Sequence, residues 1–254
     1  MEDHGDYYIF KCIIDVPKNP HVNYAKSAGV VGIDCNVDHF AIAEINNKGQ
    51  LVHSFVQSFN LTNKTNNQIN KIIEAEAVAL VDYAVKVNKP IVIEKLDTTI
   101  SKGENIYGNK KANAQMSMFA YRKMISSIVS RAEKMGVAVF EVNPAYTSQI
   151  GKMKYMKRFG ISIHQAAAFV IARRGLGFKE KLPPVLYSLL PEKITGLHHW
   201  VHWKHVMNLL NDVRTCAFYQ SEFFDLAKFQ SRRELFSPGA LTDFEKKGLA
   251  KIGK

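Results

Sequence analysis

Val30-Val31-Gly32-Ile33-Asp34 combines a β-branched run, one glycine, and an acid where the apolar residues stop. That is the signature of a short buried strand. The pattern resumes at Phe40-Ala41-Ile42-Ala43-Glu44-Ile45. It returns at Leu51-Val52-His53-Ser54-Phe55-Val56, after the turn Asn46-Asn47-Lys48-Gly49. Three strands in a meander are expected, with a carboxylate at the end of the first. A charge buried there is costly unless it is paired or bound to metal. On this stretch alone, Asp34 reads equally as a turn-capping residue or as a site residue.

Composition sets the class. The chain has 254 residues, enough for one large domain or one domain with appendages. An apolar fraction of 46% excludes a disordered chain. The net charge of +11 and the pI near 9.4 point to a polyanionic partner, most often nucleic acid. The alternative is a merely basic solvated surface. Cys12, Cys35 and Cys216 lie far apart, so neither a disulfide framework nor a CxxC zinc site is indicated. That usage fits a reducing cytoplasm. No run approaches the roughly 18 apolar residues that span a membrane. Met1-Glu2-Asp3-His4-Gly5-Asp6 is acidic and unlike the start of a signal peptide.

Outward from the meander, residues 7–14 read as one strand, closed by Pro17-Lys18-Asn19-Pro20. Asn63 to Asn88 has helical spacing at Ile69, Ile72, Ile73, Ala77, Leu80, Val81 and Ala84. Pro90 ends it, and Ile91-Val92-Ile93 is a buried strand running into a second acid, Glu94. Asp97 is a reserve acid three residues on. Residues 98–112 read as a polar loop, and Ala112 to Met135 as a helix packed through Met116, Phe119, Ala120, Met124 and Ile128. Gly136 is its cap, and Val137-Ala138-Val139-Phe140-Glu141-Val142 is the next strand. Lys152, Lys154, Tyr155, Lys157, Arg158 and Phe159 make a basic-aromatic loop over residues 151–160, suited to phosphate contact and stacking. Ser162 caps an alanine-rich helix that carries His164 in its first turn and ends on Arg173 and Arg174. His198 and His202, or His202 and His205, share a helical face, but no HExxH glutamate or nearby cysteine completes a zinc set. A wet aromatic surface is expected there, and the last turns of the chain, rich in lysine and glycine, are expected to fray.

The order β-β-β-α-β-α-β implies a mixed five-stranded sheet flanked by helices. It resembles a ribonuclease H-like fold, whose first and fourth strands lie side by side with an acid each. Gly32-Ile33-Asp34, Ile91-Val92-Ile93-Glu94 and Val142-Asn143-Pro144-Ala145-Tyr146-Thr147-Ser148-Gln149 resemble the RuvC-like nuclease domain of TnpB, the transposon-encoded relative of type V CRISPR effectors. His164-Gln165-Ala166-Ala167-Ala168-Phe169-Val170-Ile171 looks like its third motif. The Val-x-Pro-x-Tyr-Thr-Ser-Gln stretch is the most specific part.

The resemblance implies residues 27–178 as the nuclease domain. Residues 1–26 would be the remnant of a preceding wedge-like β domain, and 179–254 a C-terminal extension. Asp34, Glu94 and His164 would be the catalytic and metal-holding set, His164 standing where the family normally has an aspartate. Related RuvC-type nucleases can use a histidine there. The cofactor would be Mg²⁺, with Mn²⁺ able to substitute. Two ions about 4 Å apart would activate a water and stabilise the leaving oxygen. Imidazole is a poor Mg²⁺ ligand, so weaker binding or a preference for Mn²⁺ is expected. No zinc ribbon is expected, because residues 151–161 hold no cysteine. Lys152, Lys154, Tyr155, Lys157, Arg158, Arg173 and Arg174 are the expected nucleic-acid contacts. The implied function is cleavage of DNA under a transposon-encoded guide RNA, in the cytoplasm near the nucleoid, with strand transfer left to a separate transposase. A catalytically inactive RNA-guided DNA binder or accessory regulator is the alternative. An actin-like phosphotransferase also ends a strand in Gly-Ile-Asp, but the Gly-rich phosphate loops it needs do not follow here.

Overall fold

Alternation of apolar side chains along the first long strand assigns each residue a face. Val31 and Ile33 point to one side of the sheet; Val30, Gly32 and Asp34 point to the other. The structure, a computed structural model, describes residues 1–12, 14–15, 22–95 and 109–209, with only the backbone described for 109–119, Val185 and Ser188. Strands β1 (Glu2–Asp3) and β2 (Tyr8–Ile9) form a two-stranded antiparallel ribbon. The strand expected over residues 7–14 shrinks to those two residues. Tyr7, Tyr8 and Phe10 are exposed, so it has no covered face to extend along. Ile13 and the turn Pro17-Lys18-Asn19-Pro20 lie outside the described residues.

The main sheet contains β3 (Val30–Cys35), β4 (His39–Ile45), β5 (Leu51–Ser58), β6 (Ile91–Glu94) and β7 (Val139–Val142). Its order is β5-β4-β3-β6-β7. The meander β3-β4-β5 is antiparallel, while β6 is parallel to both β3 and β7. Three antiparallel strands followed by two parallel ones, with the first strand central, is the ribonuclease H-like arrangement. It forces β3 and β6 to end at the same edge, which is where both acids sit.

Helices α1 (Asn66–Val87) and α2 (Asn109–Met135) cover the Val31 face. A capping box between Thr65 and Gln68 starts α1, and Asn88 closes it in the left-handed conformation. Ala120, Met124, Ile128 and Ala132 bury the inner stripe of α2. The helix begins three residues before the expected Ala112. Residues 96–108, including Asp97, and the side chains of Met116 and Phe119 lie outside the described set.

The other face is covered by α5 (Ile163–Gly175). Gly32 permits this: a Cβ there would lie 2.3 Å from the Ala168 carbonyl oxygen and 2.6 Å from the Ala172 Cβ. Gly151 plays the same part where α3 (Thr147–Gly151) crosses Ala166. Between α3 and α5, a π-helical turn, Lys152–Met156, and α4 (Lys157–Phe159) continue the helical path. Beyond α5, a 3₁₀ turn (Pro184–Leu189), α6 (Glu192–Thr195) and α7 (His199–Leu209) follow. Leu182, Leu186, Leu190, Trp203 and Val206 join the same core as Ala168 and Phe169. The wet aromatic surface expected at the histidine run is corrected at two positions, while His198 is exposed and Trp200 half-buried. Trp203 is fully buried with its indole N–H donating to the Glu180 carbonyl at 2.6 Å, and His202 is buried against the Ile194 carbonyl. Residues 210–254, where fraying was expected, lie outside the described residues.

Candidate active site

Two periodicities bring the first pair of site residues together. Along β3, Asp34 lies two residues past Gly32, about 6.6 Å. Along α5, His164 lies four residues before Ala168, about 6 Å. Because Gly32 seats α5 at Ala168, the matched steps set His164 beside Asp34. The His164 Nδ1 lies 3.1 Å from Asp34 Oδ2, and the Asn36 amide donates to the same oxygen at 3.0 Å. A capping box between Ser162 and Gln165 fixes the helix start, and the Gln165 amide donates to the Ser54 hydroxyl on β5 at 3.1 Å. The His39 ring stands edge-on to His164 with centroids 4.8 Å apart, and Asp38 Oδ1 is 2.6 Å from its Nδ1.

Glu94 ends β6, the parallel neighbour of β3. Thr147, at the start of α3, donates its hydroxyl to Glu94 Oε1 at 2.5 Å. Burial pushes the Glu94 carboxyl up to about 7, the Asp34 charge adding to that while Thr147 and Arg174 oppose it. The Cys35 thiol is pushed well up by burial and then by Asp34 and Glu94. Burial also raises the Tyr121 phenol, with Cys35, Glu94 and Asp34 adding to it. The hydrogen bond to Asp34 holds the His164 imidazole above its ordinary value, against the effect of burial. The sheet edge thus holds two acids within electrostatic reach of each other, His164 beside Asp34 and Arg174 acting on Glu94.

Such an edge fits a hard divalent cation. Mg²⁺ is commonly held by one or two carboxylates plus waters and substrate phosphates rather than by a full protein cage. Asp34 and Glu94 offer that set, and His164 adds a nitrogen donor better suited to Mn²⁺. Among the described residues, no three His, Cys, Asp or Glu side chains converge as a closed metal cluster. Asp34 touches His164, whereas Glu94 is bonded to Thr147.

The expected nucleic-acid contacts divide. Lys157 and Arg158 are exposed on α4. Lys154 and Arg173 bind the buried Glu180 carboxylate, and the buried Tyr155 donates its phenol to it at 2.7 Å. Lys152 is buried, and burial lowers its pKa. Arg174 donates to the carbonyls of Asn143 and Ala145, next to the Glu94 side. The reading of 151–160 as a loop is corrected: residues 151–159 are helical, because Met153, Tyr155 and Met156 bury against α5. Asn36, His39 and Thr147 belong to the site but were not singled out from sequence. Thr147 stood inside the Tyr-Thr-Ser-Gln stretch; Asn36 and His39 carried no local signal.

No protein-family model matches the chain. It is 25% identical over 167 residues to an uncharacterized protein of Saccharolobus solfataricus, a match covering 62% of this chain and 44% of that protein. Two uncharacterized proteins of Aeropyrum pernix are each 29% identical, over 64% and 61% of this chain and 40% and 43% of their own lengths. The chain thus spans less than half the length of the curated relatives it matches. Among solved structures, Thermus thermophilus RuvC aligns with a TM-score of 0.39 and 16% identity, covering 58% of this chain and 96% of that one. The same RuvC in complex with a Holliday junction substrate aligns at 0.38 and 16%, covering 56% and 88%. No helix among the described residues is long and apolar enough to cross a membrane.

Proposed function

We propose that residues 27–178 form the nuclease domain of a divalent-metal-dependent endonuclease that cuts DNA, guided by RNA in the manner of TnpB. The reading is supported by two largely buried acids on adjacent parallel strand ends, with His164 of α5 against Asp34. Asp34, Glu94 and His164 would hold the metal. A bound divalent cation supplies an activated water and charge stabilisation at the leaving oxygen. Asn36 and Thr147 orient the two carboxylates, and His164 aims Asp34 through Nδ1, which leaves Nε2 to hold the metal or carry a proton. Transposition itself falls to a separate transposase, and the site of action is the cytoplasm.

A second reading, a guide-loaded DNA binder that does not cut, draws on the His164–Asp34 bond and the lack of a closed three-donor set among the described residues. Calorimetric titration of Mn²⁺ into wild type and into Asp34→Ala, Glu94→Ala and His164→Ala separates the two. Binding present in wild type and lost in all three supports the nuclease. A wild type that binds nucleic acid but no Mn²⁺ supports the silent binder. With a loaded guide, Asp34→Ala lowers cleavage by about a thousandfold, roughly 4 kcal/mol of transition-state stabilisation, and leaves RNA binding intact. Joint loss of RNA binding and cleavage would make Asp34 structural.

A further inference from the structure

The end of α5 away from His164 carries a second charged site. Arg173 follows His164 by nine residues, about 14 Å along the helix axis. Beside it opens a cavity of about 740 Å³. Lys154, Lys157, Arg158, Arg173, Lys179 and Lys181 line it, with Glu180 its one carboxylate. Glu180 is 3% exposed and forms the floor. It accepts from Lys154, from Arg173 Nε at 2.5 Å and from the Tyr155 phenol at 2.7 Å. Arg173 also donates to the Gly49 carbonyl at 2.7 Å, so the floor is a fixed, hydrogen-bonded frame.

The mouth differs. Lys157 and Arg158 from α4 are exposed on it, as are Lys179 and Lys181 from the segment after α5. Two segments of the chain thus bring four exposed cations to one concave opening. Like charges held this close repel, and a run of anions facing them relieves that repulsion. Two pairs of cations contributed by separate segments suit successive phosphates better than a single small anion. The one aromatic residue in the lining, Tyr155, is only 5% exposed and committed to Glu180, so no platform for stacking a base is offered. Contact with phosphates alone carries no sequence information.

We propose that this cavity is a nucleic-acid backbone site, in which Lys157, Arg158, Lys179 and Lys181 grip the phosphodiester chain of a duplex without reading its sequence. The proposal rests on the nucleic-acid partner of the reading above, but not on cleavage, since it needs neither metal nor the acids at the sheet edge.

The test is anisotropy of a fluorescein-labelled DNA duplex in EDTA across a sodium chloride series. Three proteins are compared, each with its folding checked by circular dichroism. They are wild type, the rim variant Lys157→Ala/Arg158→Ala/Lys179→Ala/Lys181→Ala, and a control, Lys64→Ala/Lys71→Ala/Lys86→Ala/Lys134→Ala. The control removes equal charge from exposed positions on or beside α1 and α2. The rim variant is expected to bind at least tenfold more weakly, with a log–log salt slope smaller by about 3–4, near 0.9 for each phosphate no longer neutralised. The control is expected to lose far less, and a scrambled duplex to bind wild type equally. Equal losses in rim and control variants would reduce the effect to general surface charge and overturn the proposal. So would a wild type that binds no duplex. A rim variant that binds normally overturns the cavity yet leaves the metal titrations of Asp34, Glu94 and His164 untouched, so the two readings fail separately.

Discussion

The sheet edge and the close of α5 each bury a carboxylate and treat it in opposite ways. At the sheet edge, burial and the Asp34 charge push the Glu94 carboxyl up to about 7. Near the close of α5, burial likewise opposes ionisation of Glu180, but Lys154, Arg173 and Tyr155 hold it below the usual carboxylate range. Depth alone therefore does not set the protonation state; the partners do. A carboxylate with its cations in place serves the fold. Two carboxylates share the sheet edge with one imidazole, and Thr147 and Arg174 offset only part of the effect of burial on Glu94, so that carboxyl favours its proton.

Breaking the satisfied end has the largest effect on stability. Glu180→Gln leaves Lys154 and Arg173 without a buried counter-charge and is expected to cost about 3 kcal/mol in urea unfolding. A cost below about 1 kcal/mol would mean the network is ornamental and the contrast between the two carboxylates is weaker than drawn. Gly32→Ala comes next. Its new methyl meets the Ala168 carbonyl and must push α5 outward, at about 2 kcal/mol. Displacing α5 also breaks the His164–Asp34 bond, so NMR titration is expected to return the His164 pKa toward its ordinary 6.5. An unmoved His164 pKa would show that the helix seat does not place the histidine.

Acidity sharpens the comparison further. The folded pKa of Glu94 lies above its ordinary 4.5, so the folded chain binds the extra proton between about 4.5 and 7. The stability that protonation contributes is complete below 4.5 and is lost as pH rises through about 7. Without divalent ions, the melting temperature should fall across that window. Glu94→Gln is expected to flatten the fall and to stabilise the protein at pH 8 by about 1–2 kcal/mol, with added Mn²⁺ rescuing wild type alone. The smallest effect belongs to Thr147→Val. Losing the hydroxyl that favours the ionised Glu94 should raise that carboxyl further, by less than about one unit, readable by carbon NMR.

Much of the sheet was legible because β-branched runs and turn residues are local signals. Val30–Ile33, Ile42–Ile45 and Ile91–Ile93 announce buried strands without reference to anything distant. The acids followed, since Asp34 and Glu94 sit where those runs stop. The capped start of α5 was legible at Ser162, and the resemblance grouped His164 with Asp34 and Glu94; what local sequence did not carry was how they meet, because Gly32 looked like strand punctuation rather than a seat for a helix. The helical path of 151–159 was hidden by Gly151 and Gly160 and by a π turn that breaks the usual spacing. Lys154, Arg173 and Tyr155 looked like surface groups because their partner, Glu180, lies outside the segment. A lysine's fate depends on where a carboxylate arrives, and periodicity does not carry that information.

The bond between His164 and Asp34 spans 130 positions of sequence. Closing so wide a loop is entropically slow, and domains emerging from the ribosome build from the N terminus. The sheet strands carrying both acids are synthesised well before α5, so a nascent chain can gather Asp34 and Glu94 without the histidine. Completion of the site then coincides with docking of α5, among the last long-range events in assembling this core. A half-made chain would hold both acids without their histidine, so the rise of the His164 pKa should track burial of Ala168 against Gly32.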